Sequence, residues 1–317
     1  MTASVLEVAA RLLPIILILG LGNLVREKSL LSEQSIKELK GLVINIALPA
    51  VLFGAFLEMD LDPSYLLIFA IVLLICVLMY GLGHLLRTRI GKSREYYPFL
   101  MTGFEFGMVG IPLFGAAYGL DAVGYIAIVD LSHELFIWFV FVTLLRMKRD
   151  GYGSISTTLK SFLRSPLIIA ILAALGLNIS GLGGAFEAHA AGQAVTRTLE
   201  LLGGMLIPVI LVIVGYGMRL NLRNAMATLS VVVPRLVILV PTALVLNRVL
   251  ATAMPGFSPA FEAALFTFLI LPPPYVVPLF MPQGITDERT FVNNVLSVYT
   301  AVTLIIFIVY FSLNPVI

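Results

Sequence analysis

Charge is scarce in this sequence. Only 12% of its 317 residues are Asp, Glu, Lys or Arg, about half the share a soluble domain carries. Hydrophobic residues make up 60%, and the mean hydropathy is +1.04, more apolar surface than one water-soluble core absorbs. There is one cysteine, Cys76, in the middle of an apolar run, so an internal disulfide is excluded and a packing role is the ordinary reading. No Gly-x-Ser-x-Gly elbow and no Gly-x-x-x-x-Gly-Lys loop occurs, which removes serine hydrolysis and a built-in ATP motor. The net charge of +2 is spread over short loops and forms no basic stripe, so nucleic acid is not a partner. Period-two alternation is also missing from the apolar runs, which argues against a transmembrane barrel.

What is present is a series of apolar runs of roughly 20 residues, the length of a membrane-spanning helix. Spans are expected over 8–25, 36–57, 65–86, 97–118 and 122–145, then over 166–182, 198–216, 230–250, 261–281 and 291–312. The first is read as a span rather than a cleavable signal, because it runs into Arg26, Glu27 and Lys28 and not into a small-residue cleavage site. Lys and Arg collect in alternate loops, among them Arg26, Lys28, Lys37, Lys40, Arg87, Arg89, Lys92, Arg94, Arg146, Lys148 and Arg149. The opposite side holds Arg11, Arg197 and Arg248, with Glu58, Asp60 and Asp62 in its first loop. By the positive-inside rule both termini then lie outside the cytoplasm of a cell membrane crossed about ten times.

The longest connection, 147–165, carries Gly151-Tyr152-Gly153-Ser154 and reads as a cytoplasmic linker between halves 1–146 and 166–317. Prolines recur at matching places in the two halves: Pro14 with Pro166, Pro49 with Pro208, and Gly110-Ile111-Pro112 with Leu271-Pro272-Pro273-Pro274. Five helices per half is an odd number, so the second copy enters from the other side and the repeat is inverted. Secondary transporters use that plan, with sites where broken helices cross near the midplane.

Proline inside a span removes a backbone donor, so breaks are expected near Gly110 to Pro112 and near Pro272 to Pro274, with Glu105, Gly110, Ile111, Pro112, Pro273, Pro274 and Tyr275 as candidate substrate- or ion-binding residues. Glu105 precedes the first break, and Asp130, His133 and Glu134 share one face of the fifth span. Ionisable groups at that depth cost roughly 2.5–3.5 kcal/mol each on insertion scales unless they face protein or a wet cavity. They are candidates for proton or cation coupling; for Asp130 and His133 a packing cluster is the plain alternative. A zinc helix motif is not formed, because Ile137 stands where its second histidine belongs. On the tenth span Asn293, Asn294, Ser297, Tyr299 and Thr300 are polar enough to face a cavity, and Asn294 joins the candidate binding residues.

The run Glu105-Phe106-Gly107-Met108-Val109-Gly110-Ile111-Pro112-Leu113 resembles the fourth-helix motif of auxin efflux carriers, and LPPPYVVPL over 271–279 resembles their ninth-helix crossover. Phe162-Leu163-Arg164-Ser165-Pro166 is similar to the family's lead-in to helix 6, and 45–53 to its second helix. The similarity covers essentially the whole chain and, with its short central loop, is nearer the bacterial members.

The resemblance implies an all-α membrane protein of ten helices in two inverted repeats. Helices 4 and 9 would be broken and crossed, as in bile acid/sodium symporters and sodium/proton antiporters. It implies a scaffold of helices 1, 2, 6 and 7, a transport domain of the others that moves as an elevator, and a homodimer joined through the scaffold. The implied activity is secondary transport, not catalysis and without a cofactor. The partners would be a small organic anion such as malate or malonate, H+ or Na+, and the bilayer. Glu105 stands where plant members carry asparagine, and Pro274-Tyr275 where they carry glutamine and glycine. A carrier of a neutral or cationic solute, or a transporter-like receptor, is the alternative reading.

On a Cys76→Ser background, a single cysteine at position 90 should resist membrane-impermeant maleimide applied to intact cells, and one at position 58 should react. Labelling of position 90 from outside would reverse the orientation.

Overall fold

In hydrocarbon a backbone N–H or C=O finds no water, so a long apolar run closes its own hydrogen bonds as a helix. The computed structural model, which describes residues 5–59, 62–90, 94–150, 160, 163–217, 225–254, 256–282 and 284–315, is all helix and connection, with no strand among the described residues. Asp60, Lys92, Gly151-Tyr152-Gly153-Ser154 and Phe162 lie outside them.

The chain opens with α1 (Val5–Glu27). Next come α2 (Glu33–Leu42), a π turn (Val43–Ala47) and α3 (Leu48–Leu57) in one stretch, then α4 (Tyr65–Arg89). The short α5 (Tyr97–Met101) is separated from a π turn (Phe106–Gly110) and α6 (Ile111–Tyr118). A second long stretch joins α7 (Val123–Leu135) through a π turn (Phe136–Phe141) to α8 (Val142–Asp150). The remainder comprises α9 (Pro166–Ile179), α10 (Gly183–Ala188), α11 (Ala190–Gly204), α12 (Leu206–Gly217), α13 (Ala225–Ala253), α14 (Pro259–Leu269), a 3₁₀ turn (Val277–Phe280) and α15 (Thr286–Leu313).

Seven of these stretches are long and apolar enough to cross a membrane: Glu33–Leu57, Tyr65–Arg89, Tyr97–Tyr118, Val123–Arg149, Ala190–Gly217, Met226–Ala253 and Thr286–Leu313. Pro166–Ile179 and Pro259–Leu269 are apolar but shorter. Pro98, Pro166 and Pro259 fall in the first turn of a helix, where a missing N–H costs no ladder bond, and Pro49 and Pro112 each follow directly on a π turn.

Burial is inverted relative to a water-soluble protein. Leu74, Val77 and Leu78 of α4 and Val233, Val237 and Leu244 of α13 point outward, while Asp130, His133, Arg235 and Thr303 are buried. Apolar faces turned outward suit hydrocarbon, and the polar groups find partners inside.

The helices associate in two groups. In one, α1 lies along α12, while α3 packs on α9 and α11. In the other, α4 packs on α5 and α7, α7 on α14, and α13 on both α14 and α15. They meet where α6 touches α1 and α12 and where α3 touches α7. At the far end of the first group Asn178 of α9 donates its side-chain amide to the carbonyls of Phe56, Leu57 and Met59 at 3.2, 2.9 and 2.7 Å, closing the orphan end of α3.

The α1–α12 contact depends on two glycines. A Cβ on Gly22 would overlap the Val212 carbonyl oxygen, and one on Gly215 would overlap that of Leu19. Without a hydrophobic drive between helices in lipid, such close backbone approach supplies the packing energy. Gly215→Ala is therefore expected to lower the melting temperature of the detergent-purified protein by about 5 °C, the effect of about 1–3 kcal/mol of overpacking. Gly20→Ala, which meets open space, should leave it unchanged or raise it slightly. Equal behaviour of the two variants would contradict this account of the seam.

Candidate functional site

After α5 the chain leaves helical geometry over residues 102–105. Gly103 makes this turn with φ +71°, and a side chain there would run into Pro274, so both conformation and space call for glycine. The freed backbone is satisfied from neighbouring elements: the Thr102 hydroxyl donates to the Cys76 carbonyl at 2.6 Å, the Phe104 N–H to His133 Nε2 at 2.8 Å, and the Glu105 N–H to the Pro272 carbonyl at 2.8 Å. The interruption thus precedes the expected place. Gly110, Ile111 and Pro112 sit in helix, because the π turn pairs the Gly110 N–H with the Glu105 carbonyl and the Ile111 N–H with the Phe106 carbonyl, and the helix continues past Pro112.

The second interruption follows α14. Pro272, Pro273 and Pro274 have no N–H to give, so the first amide after the run is that of Tyr275. It donates to Glu105 Oε2 at 2.5 Å, while Glu105 Oε1 accepts the Met108 N–H at 3.3 Å. One carboxyl group thereby closes the starts of both interrupted segments, and the Glu105 amide ties back to Pro272. Thr303 of α15 holds the Ile270 carbonyl at 2.7 Å. The Tyr275 hydroxyl lies 2.6 Å from Thr300 Oγ1, whose own hydrogen is directed to the Leu296 carbonyl at 2.7 Å, so Tyr275 is the donor.

His133 of α7 is buried against the break. Because the Phe104 amide can only donate, Nε2 is the acceptor, and the hydrogen on Nδ1 points to Asp130 Oδ1 at 2.7 Å. The imidazole is in this way a neutral strut. Asp130, His133 and Glu134 place ligand atoms within 4.8 Å of one another. Both imidazole nitrogens are already engaged, so a metal would have to break the Phe104 or the Asp130 bond. Glu134 turns instead toward Trp138 Nε1, at 3.4 Å. Phe104 and Phe268 pack against the strut, their ring centroids 4.7 Å apart, and Phe106 packs on Phe268.

Arg235 of α13 is completely buried and donates to three carbonyls at the two breaks: Leu100 at 3.0 Å, Leu271 at 3.2 Å, and Gly103. Phe104 and Tyr299 flank its guanidinium.

A cavity of about 610 Å³ opens beside the crossing. Met108 and Tyr275, whose amides hold Glu105, form part of its wall; Lys37 and Lys40 enter from α2, and Asn293, Asn294 and Ser297 from α15. Asn294 is 6% exposed, and its side-chain nitrogen has no hydrogen-bond partner.

Residues 7–313 match the family model described as membrane transport protein, that of the auxin efflux carriers and their relatives. The chain belongs to this family. It is a family of transporters and not of enzymes; no match to a curated protein accompanies it.

In this membrane transport protein Glu105, Pro274 and Tyr275 come together, with Pro273 in the same irregular segment, and Gly110 faces Leu271 so closely that a Cβ would lie 2.8 Å from its Cδ1. Asn294 reaches the cavity, whereas Ile111 and Pro112 are buried in α6 and do not line it. Asp130 and His133 join the group through Phe104, and Glu134 stands aside. Lys37 and Lys40 had been counted only for topology. Arg235 was overlooked, although it lies inside the expected span 230–250 and an arginine at that depth is a signal in its own right.

His133→Leu leaves the Phe104 amide and the Asp130 carboxyl without partners. Each unsatisfied buried group costs about 1–3 kcal/mol, so the variant should melt several degrees below wild type, and His133→Gln, which keeps an acceptor, should lose less. A wild-type melting curve for His133→Leu would show that the strut carries no weight.

Proposed function

We propose that this transporter is a secondary carrier that moves a small organic anion across the cell membrane by alternating access. The observation that carries the reading is the cavity beside the two breaks, lined by Lys37 and Lys40 from one helix group and by Asn293, Asn294 and Ser297 from the other. Lysine ammonium and amide N–H groups are donors, so their ligand is an acceptor, and two positive charges favour an anion. Glu105 does not oppose this, because both its oxygens are directed to backbone amides. The same engagement is what weakens a cation-carrier reading.

In this proposal the chain crosses the membrane ten times as two inverted five-helix repeats, with both termini outside. The group of α1, α3, α9, α11 and α12 is the scaffold and the centre of a homodimer. The other group carries the crossing past it as an elevator. Support comes from the packing, since the two breaks and their partners His133, Arg235 and Thr303 all belong to the second group, whereas the lysines stand on α2, which packs on α12 of the first. Substrate in the cavity touches both groups and so reads their relative position. Coupling to H+ is assigned to Glu105, whose protonation would disturb the two amide bonds that hold the breaks together; Asp130, His133 and Glu134 are its nearest ionisable neighbours on α7, and Na+ is the other coupling ion to be tested.

The test is solute counterflow in proteoliposomes with labelled carboxylates beside neutral and cationic analogues of equal size. Carboxylate exchange is expected, and Lys40→Gln should weaken it about tenfold, the value of one lost charge-assisted contact. Glu105→Gln should still exchange substrate but no longer accumulate it when a pH gradient is imposed. Exchange restricted to neutral or cationic solutes would overturn the anion reading, and identical responses of Glu105→Gln and wild type to the gradient would overturn the coupling role.

A further inference from the structure

A helix that ends in the membrane leaves carbonyl oxygens without donors. Two helices end at the crossing, α5 and α14, and the carbonyls of Leu100, Gly103 and Leu271 are those left over. All three converge on one point within hydrogen-bonding distance of the Arg235 guanidinium. Convergent backbone carbonyls at the C-terminal ends of broken helices are hard oxygen ligands, the kind that coordinate a dissociable alkali cation in carriers with broken helices. Here the position is filled by a side chain.

We propose that Arg235 is a tethered cation that takes the place of a dissociable alkali-metal ion at the crossing and makes the crossing complete without one. Three features support a cation site rather than a chance arginine. The side chain is fully buried, although arginine inside a span is costly and rare. Its donors go to carbonyls of both interrupted segments, so it bridges them as Glu105 bridges their amides. The aromatic faces of Phe104 and Tyr299, 4.9 and 5.3 Å from the guanidinium carbon, complete a cage that favours a weakly hydrated planar cation. Arg235 touches none of the residues proposed for the substrate, so this inference stands whether the cargo is an anion, a neutral solute or a cation. It is a positioning residue: it acts on the cargo only through the shape of the crossing.

The experiment measures melting temperature of the full-length protein in detergent, with Na+, K+ or choline at equal ionic strength and with guanidinium chloride at about 10 mM. Wild type should melt at the same temperature in all three salts. Arg235→Ala should melt about 10 °C lower, the scale of a buried charged group removed from its partners. Guanidinium should restore several degrees to it by occupying the vacated cage, at a concentration where wild type does not respond. Arg235→Met fills the space without charge and should be neither stable nor rescued. Arg235→Lys keeps the charge but not the fork, and should fall between wild type and Arg235→Met.

The proposal is overturned if Na+ stabilises wild type relative to choline, since the crossing would then still need a free cation. It is overturned equally if Arg235→Met melts with wild type, or if guanidinium raises Arg235→Ala no more than it raises Arg235→Met. Should Arg235→Ala not fold, the salt comparison on wild type and the rank of Lys against Met decide the matter alone. A cargo that is a neutral solute rather than an anion would leave each of these measurements unchanged.

Discussion

An unpaired peptide group cannot be left in hydrocarbon, and three consecutive prolines guarantee that some will be. Pro272, Pro273 and Pro274 withdraw three donors from a stretch at membrane depth, and residues 102–105 leave helical geometry beside them. Much of the interior is the answer to that deficit. Glu105 supplies an acceptor for the first amide beyond the prolines, Arg235 supplies donors to the carbonyls before them, and His133 receives the Phe104 amide. Each break is also the other's partner, through the Glu105 amide and the Pro272 carbonyl. Neither interruption is satisfied alone, which is why they occur as a pair.

This interdependence separates the two faces of the crossing by sign. At the starts of the segments that follow the breaks, amides of Met108 and Tyr275 converge on a carboxyl group; at the ends of the segments that precede them, carbonyls of Leu100, Gly103 and Leu271 converge on a guanidinium. Helix dipoles favour both placements, an anion at an N-terminus and a cation at a C-terminus. The cavity adjoins the carboxylate side, next to Met108 and Tyr275.

Hydropathy alone located the helical stretches, because an apolar run of spanning length has one way to satisfy its backbone. The expected stretch 65–86 appears as Tyr65–Arg89, and 291–312 as Thr286–Leu313, each extended by polar turns that hydropathy does not register. The stretch expected over 198–216 begins earlier, at Ala190, and is jointed at Met205, ahead of Pro208. The proline rule found the second break and misplaced the first. Pro112 is harmless after a π turn, and the chain opens at Gly103, whose positive φ leaves no mark in a sequence beyond the residue itself. Of the site, Glu105 and Asn294 were legible as polar residues in apolar surroundings. The lysines were not, since a charge near a span end reads as topology until the fold shows which way it faces. Arg235 was legible in principle: the same cost that singled out Glu105 applies to it.

The second helix group carries the Asp130–His133 pair, Glu105 and Arg235 with partners drawn from within that group. A body built in this way brings its own polar medium with it. Were the group to translate relative to the lipid as proposed, those internal bonds would be unchanged and its buried charges would keep the same polar partners at every depth. The electrostatic cost of placing them in the membrane was met when the helices folded together, and in an elevator it would not recur as a barrier.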